Sequence, residues 1–122
     1  RIDQDILGGK LPPPPLAGTD QIRPLETLDQ VRRESMDMHH CLFAAYSRQI
    51  AMGTYYAYSL TGAERATVGL TKAGGRWAFD QIRGPCNEPV RLSAMTRVRE
   101  WIGQPTAGEP VAASAWDPVV AF

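Results

Sequence analysis

Two short stretches of this sequence hold the side chains most able to do chemistry. The first is Met38-His39-His40-Cys41. A helix N-terminus lowers the pKa of a nearby thiol, and an imidazole can take its proton. The resulting thiolate attacks carbonyls or binds metal. One reading therefore makes Cys41 a nucleophile with His39 or His40 as its base. The other makes Cys41 a core residue. Neighbours on a helix point in different directions, whereas a nucleophile and its base must meet in space. Cys41 also falls on the apolar face of the helix expected here, where an inert buried thiol is common. A zinc site needs about four ligands. His39, His40, Cys41 and Cys86 reach that number only if the loop at 86 meets the helix. No paired Cys-x-x-Cys motif supports this, so no metal site and no cofactor is expected.

The second stretch is Trp77-Ala78-Phe79-Asp80-Gln81-Ile82-Arg83 with Asn87 just beyond it. Strict alternation along a strand puts Gln81 and Arg83 on the face of Trp77 and Phe79. Polar groups there need partners, because burying them alone is costly. Either they line a polar pocket at the end of a sheet, or a bulge flips the pair outward and turns Ile82 in. Asn87 either completes that pocket or caps and turns the loop, as Asn often does. Tyr46 lies on the same helix stripe as His39 and is a further candidate for contact with a ligand.

The elements that must position these residues follow from periodicity. Residues 1–24 read as an extended arm, because Pro12-Pro13-Pro14-Pro15 favours polyproline II and cannot lie inside a helix. Such an arm is either a ligand for a partner's aromatic groove or a segment laid across its own domain. Leu25, Leu28 and Val31 recur at helical spacing behind a possible Thr27 N-cap, which predicts a helix over 27–35. Asp37 then caps a second helix from Met38 to Met52, ended by Gly53. Its buried stripe would hold His39, Phe43, Tyr46 and Ile50, with His40 turned to solvent. Three strand-like runs follow, 54–60, 65–71 and 76–83, joined by the short turns 61–64 and 73–75. Short turns mean hairpins, hence an antiparallel meander. A last helix is expected over 92–102, stopped by Gly103 and Pro105. The expected fold is α+β, in the order α-α-β-β-β-α. The domain spans 25–103, and Trp116, Val119, Val120 and Phe122 mark 104–122 as a tail that docks on something.

Composition narrows the function. The chain has 122 residues, enough for one domain with a sizeable core. Formal net charge is zero, so a nucleic-acid partner would need a local basic patch. No apolar run approaches the ~20 residues that span a membrane, and a cytoplasmic location is expected. Two cysteines do not make a disulfide framework. The chain opens on Arg1 rather than Met, which leaves a longer parent chain open.

Several of these residues together resemble a known family. Met38-His39-His40-Cys41-Leu42, Tyr46, Gly53, Tyr58-Ser59-Leu60, Ala66-Thr67-Val68, Trp77 and Gln81-Ile82-Arg83-Gly84-Pro85-Cys86-Asn87 look like the PcfJ-like domain of bacteria, conjugative plasmids and phages. The resemblance covers roughly residues 12–102. One departure is Glu34-Ser35, where the family often has Glu-Gly. The resemblance carries no defined activity. It implies at most a role near DNA transfer, replication or host interaction. Three functions are therefore expected in turn. The first is a non-catalytic recognition domain in which Gln81, Arg83 and Asn87 bind a phosphate, nucleotide or peptide group, with a histidine at the rim. The second is a cysteine-nucleophile enzyme built on Cys41. The third is a structural domain that binds a protein partner through its arm and tail. Nothing in the sequence fixes an oligomeric state.

Overall fold

The computed structural model describes residues 9–103; the expected tail, 104–122, lies outside the described residues. Strand β1 is Ile22–Pro24. Helices α1 (Leu28–Met38) and α2 (Leu42–Met52) follow. Then come β2 (Tyr55–Leu60), β3 (Ala66–Ala73) and β4 (Arg76–Arg83). A 3-10 turn at Pro85–Asn87 leads to α3 (Leu92–Ile102). The four strands form one antiparallel sheet in the order β1-β2-β3-β4. The domain is thus α+β, with a four-stranded sheet in place of the expected three and the element order β-α-α-β-β-β-α. The added strand is only three residues long and ends on Pro24. It pairs with β2 through Ile22–Leu60, Arg23–Ser59 and Pro24–Tyr58. A strand so short, inside a proline-rich arm, has no alternation to read. Among the described residues no helix is long and apolar enough to cross a membrane.

The sheet is apolar on both faces, and each face has its own core. On one face Tyr56, Tyr58, Leu60, Val68, Leu70, Phe79 and Ile82 pack with Ala94, Val98, Trp101 and Ile102 of α3. On the other, Tyr55 and Ala57 pack with Leu28, Val31, Leu42 and Ile50 of α1 and α2. Near-alternation along β2 and β3 sends successive side chains to opposite cores. The arm joins the two: Leu11 lies against the α1–α2 core and Leu16 is buried in the α3 core. Tyr58 donates its hydroxyl to the Leu16 carbonyl (2.8 Å), and the Leu16 amide donates back to it (3.0 Å). The indole of Trp101 donates to the Ala17 carbonyl at 2.9 Å.

Helix α1 begins as expected, with the Thr27 hydroxyl accepting the Gln30 amide. Its end corrects the expected boundary. The chain does not break at Asp37 and run on from Met38. It breaks at His39, which takes a left-handed conformation (φ 53°) and closes α1, while Cys41 becomes the N-cap of α2. His is among the few side chains that visit this region readily. Three burial expectations reverse as a result. His40, expected in solvent, is 8% exposed, while His39, expected on the buried stripe, and Cys41, expected on the apolar face, are both exposed.

Strand β4 holds the other departure from regularity. Gly69 pairs with Gln81 and Leu70 with Phe79, so Asp80 is an extra residue with no partner opposite it. This bulge moves everything after it by one face. Phe79 and Ile82 both enter the α3 core, while Gln81 and Arg83 turn to the face covered by α1 and α2. Strict alternation would have kept the pair with Trp77 and Phe79.

The bulge depends on a glycine. Tyr55 lies across Gly69 and reaches β4, where its hydroxyl donates to Asp80 Oδ2 at 2.6 Å. A Cβ on Gly69 would sit 2.0 Å from that hydroxyl oxygen and 2.7 Å from Cζ. Gly69→Ala should therefore push Tyr55 off its bond and cost about 3 kcal/mol, combining overpacking with a lost charge-assisted bond. Urea unfolding of the variant beside wild type measures this. Gly75→Ala in the β3–β4 turn meets open space and should cost only about 1 kcal/mol, for its positive φ of 79°.

Candidate functional site

The face of the sheet beneath α1 and α2 carries a band of polar side chains in two adjoining groups. The first centres on Thr67 of β3, which is fully buried. Its hydroxyl donates to Glu34 Oε2 of α1 at 2.6 Å. Glu34 is itself 5% exposed, and its other oxygen accepts from Arg65 at 2.9 Å. Arg65 stands in the β2–β3 turn and also donates to Ser59 Oγ and to the Leu60 carbonyl, both at 2.8 Å. The His40 Nε2 lies 2.9 Å from Thr67 Oγ1.

These contacts assign the histidine's proton. The Thr67 hydrogen is committed to Glu34, so Thr67 Oγ1 accepts from His40, and Nε2 carries the hydrogen. The remaining ring nitrogen, Nδ1, accepts the backbone amide of Leu42 at 3.3 Å. The ring is therefore neutral. Burial lowers its pKa below the ordinary 6.5, and the nearby Glu34 carboxylate opposes that effect. His40 thus caps α2 in place of Cys41, which makes no side-chain capping bond. Ser35 supplies the second cap, its Oγ accepting the Phe43 amide at 2.7 Å.

The second group lies one register step along the sheet. Gln81 of β4 is 1% exposed. Its Nε2 donates to Asp80 Oδ2 at 3.1 Å and to the Tyr46 hydroxyl of α2 at 3.4 Å. Tyr46 stacks on Tyr55 with ring centroids 4.2 Å apart. Burial and the Asp80 carboxylate hold both phenols above their ordinary pKa, Tyr55 strongly. Gln81 Oε1 has no hydrogen-bond partner among the described residues.

Arg83 sits beside the first group, paired across the strands with Thr67. Its side chain is partly exposed, and its buried Nε has no hydrogen-bond partner among the described residues. It leads directly into the turn 84–88, closed by Gly84 N–H to the Glu88 carbonyl (2.8 Å) and Glu88 N–H to the Pro85 carbonyl (3.1 Å). Within that turn Cys86 and Asn87 are both left-handed, at φ 59° and 61°. Two successive non-glycine residues there hold strain of about 1–3 kcal/mol each. The turn packs against α1.

The expected residues are therefore divided. Tyr46 meets Gln81, and His40 meets Thr67 with Arg83 beside it, but Gln81 is sealed under the helices and lines no open pocket. His39 serves as the C-cap of α1. Cys41 is exposed on the rim of a cleft of about 200 Å³ shared with Arg32, Ser35, Met36, His40, Phe43 and Ala44. Both ring nitrogens of His40 are engaged inward, so it supplies no base to that thiol. Among the described residues no cluster of three or more His, Cys, Asp or Glu could hold a metal. Glu34, Thr67, Arg65 and Asp80 were not foreseen. In the sequence Thr67 stands out only within Ala66-Thr67-Val68 and Glu34 only within Glu34-Ser35, and neither stretch carries a sign of a buried pair. Comparison with protein-family models, with curated proteins and with solved structures returns no match.

Thr67→Val keeps the shape of the side chain but removes its hydroxyl. It leaves the His40 N–H and one Glu34 oxygen buried and unmatched. The variant should lose about 2–3 kcal/mol of stability in urea unfolding.

Proposed function

We propose that this domain is a non-catalytic recognition module. It engages a phosphate or carboxylate group of its partner through Arg83, at the point where β4 meets the strained turn 84–88. The observation that carries the reading is the partly exposed Arg83 side chain, whose buried Nε lacks a hydrogen-bond partner among the described residues. A partly exposed guanidinium suits bidentate capture of an oxyanion. Strained backbone beside it is the kind of feature that binding sites retain. Of the two histidines offered as a base for Cys41, His40 is engaged in holding the fold, which favours the recognition reading. The likeness of the His-Cys and Gln-x-Arg-Gly-x-x-Asn blocks to PcfJ-like domains is the reason to look for the partner among bacterial mobile-element and phage proteins.

Titration of the isotope-labelled protein with inorganic phosphate, single-stranded DNA and a polyglutamate peptide tests this. Amides of residues 83–88 should shift with at least one probe. Arg83→Ala should weaken that binding by about tenfold or more, and Arg83→Lys should recover only part of it. Unchanged affinity in Arg83→Ala, or shifts confined to other surfaces, would contradict the proposal.

A further inference from the structure

We infer that His40 is a proton-operated latch on the first turn of α2. The latch rests on two bonds of its ring. Nδ1 accepts the Leu42 amide, and Nε2–H donates to Thr67. A second proton can only go on Nδ1, the atom that now serves as acceptor. Protonation therefore turns a donor–acceptor contact with Leu42 into a donor–donor contact. It also places a positive charge at the N-terminus of α2, the end where the helix dipole disfavours cations. Both effects act on the same turn, and they remove one of its two caps while Ser35 retains the other.

What lies beneath this turn makes the opening consequential. Leu42 is fully buried in the α1–α2 core. Phe43 packs against that core, and the exposed Met36 borders the adjoining cleft. Releasing residues 40–43 widens this cleft into an apolar surface and frees the elbow between the two helices. The charged groups that face the ring are few. Glu34 of α1 reaches it through Thr67 and opposes the latch by favouring the charged form. Arg65 of the β2–β3 turn neutralises Glu34 and disfavours that form. Arg32 of α1 shares the cleft, Arg83 of β4 lies one strand beyond Thr67, and His39 and Cys41 flank the ring in the chain.

The sign follows from burial. The folded-state pKa of His40 lies below its unfolded value of 6.5. The closed state therefore keeps its full advantage above that value and loses it as pH falls below it, because the open state binds the proton more readily. The direction is opening in acid.

Amide hydrogen exchange and the His40 ring shifts, followed together by NMR from about pH 7.5 to about pH 5.5, test the latch. After correction for intrinsic exchange, protection of the Leu42 amide should fall about tenfold as the ring titrates. Val98 of α3 should keep its protection, which separates local from global opening. His40→Gln, which retains a neutral acceptor, should show a flat pH dependence. If that variant does not fold, coincidence of ring titration and Leu42 opening in wild type decides alone. A ring that titrates with Leu42 still protected overturns the inference, as does one that titrates only with global unfolding or a glutamine variant that opens in acid like wild type.

Discussion

The constraint on which the α1–α2 side of this domain depends is a carboxylate placed where water does not reach it. Glu34 leaves α1 facing the sheet, and a buried charge is tolerated only if its oxygens are matched. Thr67 matches one and Arg65 the other. Each match commits a further element. Arg65 ties down the end of β2 through Ser59 and Leu60, and Thr67, having spent its hydrogen, needs a donor that His40 provides. His40 then has one nitrogen left, and this nitrogen holds the start of α2. A single buried acid thus sets the spacing of α1, β3, the β2–β3 turn and α2.

The opposite face shows how different the two sides are. The α3 core is almost wholly apolar, with Tyr58 and Trp101 meeting edge to face at 4.6 Å. Their polar ends leave the core only to hold the arm at Leu16 and Ala17. Burial pushes the Tyr56 phenol up to about 12, as expected of a hydroxyl withdrawn from water. Packing holds that side, whereas directional bonds hold the side beneath α1 and α2. Directional bonds are also the ones that a proton can rearrange.

Much of the fold was legible where local rules act alone. The Thr27 cap, the Gly53 stop, the two hairpins and the helix at 92–102 all follow from periodicity and turn chemistry. The misreadings share a cause. His39 ends α1 in a left-handed conformation because Ser35 and His40 can then both turn back to cap α2, and that advantage is tertiary. The bulge at Asp80 left a faint trace, since the apolar spacing 77, 79, 82 changes from two to three. Its reason, however, is Tyr55 reaching across Gly69 from another strand. For the candidate site, residue types singled out His40 and Arg83 but not the contacts around them. Those depend on Thr67, a residue whose sequence context gives no sign of a buried acid above it.

The central claim is that His40 is a neutral structural ring with its proton on Nε2, and not a base serving Cys41. Long-range nitrogen–proton correlation NMR of the imidazole at about pH 7.5 reads that proton's position directly. The account requires a protonated Nε2 and a bare Nδ1. A proton on Nδ1, or a doubly protonated ring, would contradict it and return His40 to the chemistry of the neighbouring thiol.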